Sequence, residues 1–247
     1  MKKTLFISCT KYGAKEFYES PLYQSLFSPG TKVVEDNTTT EQHHLYTTEH
    51  HDLILKTKNT YNIARHYNKG IQFAIENKDD YDNVVFIHDD VSVEDRFLHR
   101  KLRLGLESAD IIGLAGARDI KIRSPFLWHI ISDPKTWSGA VAHPEGGGVI
   151  SMTSFGPVPS RVLVLDGLLL AVKPETFENN PKLRFDEKIP TIAHFYDLDF
   201  CLTANENKLT LSTFPIWVVH GSPGLEQYTA DFHKGEKYML KKWKLVN

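Results

Sequence analysis

The chain has 247 residues, of which 41% are hydrophobic and 24% charged, with 15 glycines and 12 prolines: the balance of a folded globular protein, which excludes a low-complexity or collagen-like one. Lysine and arginine (29) nearly match aspartate and glutamate (31), and a net charge of −2 argues against a protein that coats nucleic acid. The two cysteines, Cys9 and Cys201, lie far apart beside apolar residues and form neither a disulfide framework nor a paired-thiol metal site. Met1-Lys2-Lys3 is followed only by Leu5-Phe6-Ile7, too short an apolar run for a secretory leader, and no segment approaches the ~20 apolar residues of a membrane span. The expectation is a complete cytoplasmic protein.

Thr4 to Cys9 reads as a short buried strand and Thr31 to Glu35 as a second. From Thr60 to Asn77, Ile63, Tyr67, Ile71 and Ala74 recur at spacings of four, four and three, which predicts a one-faced helix. The turn-rich Asp79 to Asn83 leads into Val84-Val85-Phe86-Ile87, apolar throughout and so a central strand covered on both faces. A helix is expected over Val93 to Glu107 and a strand over Ile111 to Ala115. Lys121 to Ser160, with five prolines and Gly146-Gly147-Gly148, shows no sustained period and is expected to be a long, partly mobile connection. Order returns with the β-rich Val162 to Val172, broken by Asp166-Gly167, then a helix over Tyr196 to Asn207, strands near Leu209 to Thr213 and Ile216 to Val219, and a helical tail from about residue 225. Alternating strands and helices predict an α/β fold, a mostly parallel central sheet with helices on both faces, in one domain over 1–247.

Phe86-Ile87-His88-Asp89-Asp90 ends a buried strand in one imidazole and two carboxylates, at the sheet edge where open α/β folds bind ligands. That donor set suits a divalent cation such as Mn²⁺ or Mg²⁺; an N-cap aspartate for the following helix is the other reading. Asp197 and Asp199, two acids at a helix start among aromatics, are either dipole-favoured residues or include a general base. Trp217-Val218-Val219-His220-Gly221 repeats the pattern of a potential ligand at a strand end. Asp166-Gly167, inside an apolar run, is a turn or a functional carboxylate. His43-His44 and His50-His51 lack regular ligand spacing and read as solvated histidines. There is no Walker loop, and no Gly-x-Gly-x-x-Gly follows the first strand, which argues against a P-loop NTPase or a Rossmann dehydrogenase. Lys234, Lys237, Lys241, Lys242 and Lys244 among Tyr238, Met239, Leu240 and Trp243 fit a tail helix packed on the domain with snorkelling lysines, or a weak contact with an anionic membrane surface.

Taken in order from about Tyr61 to Ser222, these segments resemble the family 2-like glycosyltransferases of the GT-A fold. The resemblance is carried by Tyr61-Asn62-Ile63-Ala64-Arg65 with Asn68, by His88-Asp89-Asp90 where the family has its metal-binding D-x-D triplet, and by Leu165-Asp166-Gly167 through Lys173. Phe185-Asp186-Glu187, Asp197 in place of the aspartate of the family's Glu-Asp motif, and the late His220 complete it. Histidine replaces the first acid of the triplet, and Tyr196 the glutamate before the base. The resemblance implies a cation held by Asp90, His220 and His88, Asp197 as base, and Asp166 orienting a sugar. It also implies donor contacts from Glu35, Asn37, Arg65, Asn68 and Asp89, and a nucleotide-sugar donor whose sugar passes, with inversion, to an acceptor hydroxyl of a glycan or other molecule. A metal-dependent phosphoesterase and a non-catalytic sugar-nucleotide-binding protein are the competing readings.

Overall fold

The computed structural model describes residues 2–27, 31–36, 43–121, 124–222 and 228–244. The chain opens with β1 (Lys3–Cys9), two short helices α1 (Ala14–Phe17) and α2 (Pro21–Leu26), and a meander of β2 (Lys32–Asp36), β3 (His43–Thr47) and β4 (His51–Lys56). Helix α3 (Ala64–Glu76) and strand β5 (Tyr81–Ile87) follow. The α3 helix starts four residues later than its apolar period suggested, because the Asn62 side chain accepts from Ala64 N at 2.9 Å and opens the first turn there.

Strand β6 (Val91–Val93) takes residues expected to begin a helix: Val91 and Val93 are buried on alternate positions, and Asp95 accepts from Phe97 N to start helix α4 at Leu98–Ser108. The apolar run near 111 is split at Leu114 into β7 (Ile111–Gly113) and β8 (Ala115–Ala117), which belong to different sheets. The segment expected to be a mobile connection instead holds a long hairpin of β9 (Trp137–Pro144) and β10 (Ile150–Gly156). Its turn is the glycine run, where Gly146, Gly147 and Gly148 all have positive φ, a conformation open to glycine at little cost. The remaining elements are β11 (Ser160–Val162), β12 (Val164–Leu165), β13 (Leu169–Val172), α5 (Pro174–Asn179), α6 (Tyr196–Glu206), β14 (Leu211–Thr213), β15 (Val218–His220) and α7 (Ala230–Lys242).

Among the described residues the fold is mixed α/β with two sheets. The larger runs β11-β14-β7-β13-β5-β1-β4-β3-β2, the smaller β12-β8-β9-β15-β6 with β10 on β9. The expectation of a mostly parallel sheet is corrected: β1 pairs parallel with β4 and β5, and β7 with β14, while the other five pairings of the larger sheet are antiparallel. The cause is connection length. The three residues between β3 and β4 permit only a hairpin, and β13 enters between β5 and β7 from a tight turn at Asp166-Gly167 rather than a helical crossover.

Helices do cover both faces. Successive strand residues point to opposite sides: a side chain at Gly70 of α3 would collide with Ile7, whereas His99 of α4 meets Thr4, on the other face of β1, at 2.9 Å. The paired histidines are not solvated as a group. His51 is buried, its Nε2 2.8 Å from Leu26 O and its ring against Phe6, Phe27 and His99; His43 is half-buried against His66; His50 is exposed.

No helix of the described residues is long and apolar enough to cross a membrane. The tail helix α7 packs on the domain, and Lys242 turns inward: its ammonium lies 2.7 Å from Asp199 and 2.6 Å from Asp186, while Trp243 and Tyr238 donate to the same two carboxylates. Asp199 is fully buried, so removing its cation strands a charge. Lys242→Ala is expected to lower stability by ~1–3 kcal/mol, read by urea denaturation; an unchanged midpoint would count against this latch.

Candidate active site

The β5 strand, apolar because both faces are covered, ends at Ile87, and the chain leaves the sheet through His88-Asp89-Asp90 into β6. Strand β15 pairs antiparallel with β6 so that His220 lies opposite Val91, and Gly221 N donates to Asp90 O at 2.8 Å. This register places His220 Nε2 3.4 Å from Asp90 Oδ1; His88 Nδ1 is 3.9 Å from the same oxygen. Asp90 Oδ1 and His220 Nε2 are both sealed from water and face each other at the outer limit of hydrogen-bond distance. A carboxylate oxygen and an imidazole nitrogen left facing each other in this way fit a shared cation, and the three ligand atoms lie within 4.8 Å of one another.

The two acids behave differently. Burial raises the Asp89 carboxyl, with a hydrogen bond from Thr10 opposing it and the Asp90 charge adding to it. Burial also acts on Asp90, but hydrogen bonding and charge from His220, with His88 behind it, hold Asp90 below the usual carboxylate range. The negative charge on Asp90 is therefore the better stabilised of the two.

Helix α6 brings the second half of the site. Phe195, in the left-handed region at φ 68° and packed against Phe126 and Phe232, precedes its first turn. Tyr196 then places its hydroxyl 2.6 Å from His88 Nε2 and donates to Gly167 O at 2.9 Å, while Asp197 Oδ2 accepts from Gly167 N at 3.0 Å. A Cβ at Gly167 would strike the Tyr196 ring and hydroxyl and Asp197, which is why the turn needs glycine. Asp197 is enclosed by protein although part of its surface still meets solvent; burial first, then the charge of Asp166, pushes its carboxyl up to about 7. Asp166 accepts from Trp128 Nε1 at 2.7 Å and from Leu168 N at 3.0 Å, so each oxygen is fixed.

A cleft of about 690 Å³ opens past the C-terminal end of β1, lined by Thr10, Tyr12, Asn59, Ile63, Asp89 and Asp90 among others. Asp89 and Asp90 line the cleft, His88 and His220 flank Asp90, and the Tyr196 hydroxyl and Gly167 link His88 to the Asp166–Asp197 side of the site. The remaining expected donor contacts are placed otherwise. Asn68 donates to Phe185 O and Glu187 and accepts from Phe185 N, so its amide staples the 185–187 loop to α3 rather than facing the cleft. Arg65 lies over the Tyr61 ring at 5.7 Å in a side pocket with Lys56 and Lys69 that shares Asn59 with the cleft. Glu35 is on the outermost strand β2, with β3 and β4 between it and β1; Asn37 lies outside the described residues.

Three participants had no signal in the sequence. Thr10 follows an ordinary strand, Trp128 lies in a stretch without periodicity, and His143 of β9, whose Nδ1 is 3.3 Å from His220 O, belongs to the hairpin that the prolines and glycines disguised.

No curated protein matches the chain. The crystal structure of A197 from STIV is similar at 12% identity over 86% of this chain and 82% of that one, with a TM-score of 0.45, a likeness too loose to bear an argument. A model described as a glycosyltransferase-like family matches residues 33–243, taking in every motif from Asn62 to His220 on which the resemblance rested, and the chain belongs to that family.

Proposed function

We propose that the protein is a metal-dependent, inverting glycosyltransferase that takes a sugar from a nucleotide-diphosphate donor and passes it to an acceptor hydroxyl in glycan or polysaccharide synthesis. The observation that carries this reading is the adjacency of two unlike features at one rim. One is a trio of cation ligands, two of whose ligand atoms are sealed from water; the other is a carboxylate whose proton affinity lies near neutrality.

Asp90, His220 and His88 would hold the cation, whose charge, when bound, offsets the negative charge growing on the departing diphosphate. With two imidazoles and one carboxylate, the donor set favours Mn²⁺ over Mg²⁺. Asp197 keeps Oδ2 on the Gly167 amide and uses its other oxygen to take the proton of the acceptor hydroxyl as that oxygen attacks the anomeric carbon. Attack opposite the leaving group inverts that centre. Asp166, its oxygens fixed by Trp128 and Leu168, orients the sugar and keeps the proton affinity of Asp197 high enough for the task. The 690 Å³ cleft, lined by Tyr12 and Asp89 among others, would take the nucleotide. The family match lends no support to a phosphoesterase or a non-catalytic binder.

The test is a thermal-shift screen of the common nucleoside diphosphates with and without Mn²⁺, followed by transfer assays with the sugar nucleotides of any that stabilise. A rise in melting temperature that requires both diphosphate and Mn²⁺ is expected. Stabilisation by no diphosphate in either condition would sink the reading.

A further inference from the structure

We infer that Tyr196 is a positioning residue that fixes His88 as the tautomer protonated on Nε2, turning the Nδ1 lone pair toward Asp90 and His220. This deepens the transferase reading and rests on it for the identity of the cation site.

The argument is one of hydrogen-bond direction. The Tyr196 hydroxyl has a single proton and two neighbours, Gly167 O at 2.9 Å and His88 Nε2 at 2.6 Å. A carbonyl oxygen only accepts, so the phenolic proton points to Gly167. The reverse arrangement would set two acceptor oxygens 2.9 Å apart with no proton between them. The short contact to His88 then has one remaining donor, the ring's own Nε2–H. In the neutral imidazole that leaves Nδ1 unprotonated, and Nδ1 is the atom 3.9 Å from Asp90 Oδ1. Tyr196 is itself immobile: it is 2% exposed, with its ring against Tyr67 and Phe185.

The two places where the chain departs from the motifs of the transferases it resembles, His88 and Tyr196, are therefore in contact and form one unit. Histidine at 88 serves as a ligand because the phenol behind it orders its protons, the role that a partner of a metal-bound histidine plays generally. Tyr196 touches neither the cation nor the acceptor; it acts through the ring.

The tautomer can be read without any metal, from long-range ¹H–¹⁵N NMR of the histidine-labelled protein. His88 is expected as Nε2–H in the parent and as a mixture, or Nδ1–H, in Tyr196→Phe. Calorimetric titration with Mn²⁺ should show Tyr196→Phe binding ~10–100-fold more weakly. In a His88→Asp background, where no tautomer exists to be fixed, adding Tyr196→Phe should change affinity by less than about twofold. Nδ1–H in the parent overturns the proposal, as does unchanged Mn²⁺ affinity in Tyr196→Phe, an equal loss in both backgrounds, or a parent that binds no Mn²⁺. Should His88→Asp fail to fold, the NMR spectrum and the single variant still decide. An active parent with an indifferent Tyr196→Phe refutes this inference alone. A parent with the expected tautomer and Mn²⁺ affinity but no sugar transfer refutes the transferase reading instead.

Discussion

Asp197→Asn should abolish sugar transfer, by ~10²–10⁴-fold in kcat, while leaving binding of the nucleoside diphosphate and Mn²⁺ within about twofold of the parent. The amide keeps an oxygen to accept from Gly167 N, so the turn that carries the site survives; what it loses is the capacity to take a proton. The parent's pH profile carries the same signature. With the carboxyl at about 7, the basic form is scarce in mild acid, so kcat/KM should climb roughly tenfold per pH unit below neutrality and level off above it. Equal turnover in the variant and the parent removes Asp197 from the mechanism.

The same group has a stability effect of opposite sense. A carboxyl raised from 3.8 to about 7 means that between those values the folded protein holds a proton that the unfolded chain has released. Stability from this group therefore falls as pH rises through that window, and the loss is complete above neutrality. Asparagine does not titrate, so Asp197→Asn should melt higher than the parent at pH 8, by ~1–4 kcal/mol, with the difference shrinking toward pH 4. Parallel melting curves across that range would contradict an uncomfortable charge at this position.

Asp90→Ala is the second large effect. It removes the carboxylate oxygen that lies 3.4 Å from His220 Nε2 and 3.9 Å from His88 Nδ1, and Mn²⁺ affinity should fall by ~100-fold or more, taking with it any nucleotide binding that depends on the ion. Folding should persist, because the chain crossing at this point is held by the backbone bond from Gly221 N to Asp90 O and by the pairing of β6 with β15, neither of which uses the side chain. A Mn²⁺ titration with the parent's dissociation constant would show that the ligand trio is not the cation site. The contrast between the variants is the informative part: one keeps binding without turnover, and the other loses binding first.

The sequence by itself determined the parts of this protein that depend on neighbours along the chain. The unbroken apolar run of β5, the one-faced period of α3 and the start of α6 each encode their burial locally; Asp90 and His220 could be singled out because each follows or ends an apolar run, and Asp197 because it is an acid at a helix start among aromatics. Tertiary structure alone decided which chain ends meet. The register of β15 on β6, which faces His220 to Asp90, is set by pairing between strands more than 120 residues apart, and composition holds no trace of it. Tertiary context also put β13 antiparallel between β5 and β7, turned a proline- and glycine-rich stretch into a hairpin bearing His143, and tied the Asn68 amide to the loop at Phe185. Hydrophobic periodicity reports only how an element faces the core. Which polar ends converge depends on sheet order and register, and those are set by pairing between strands distant in sequence.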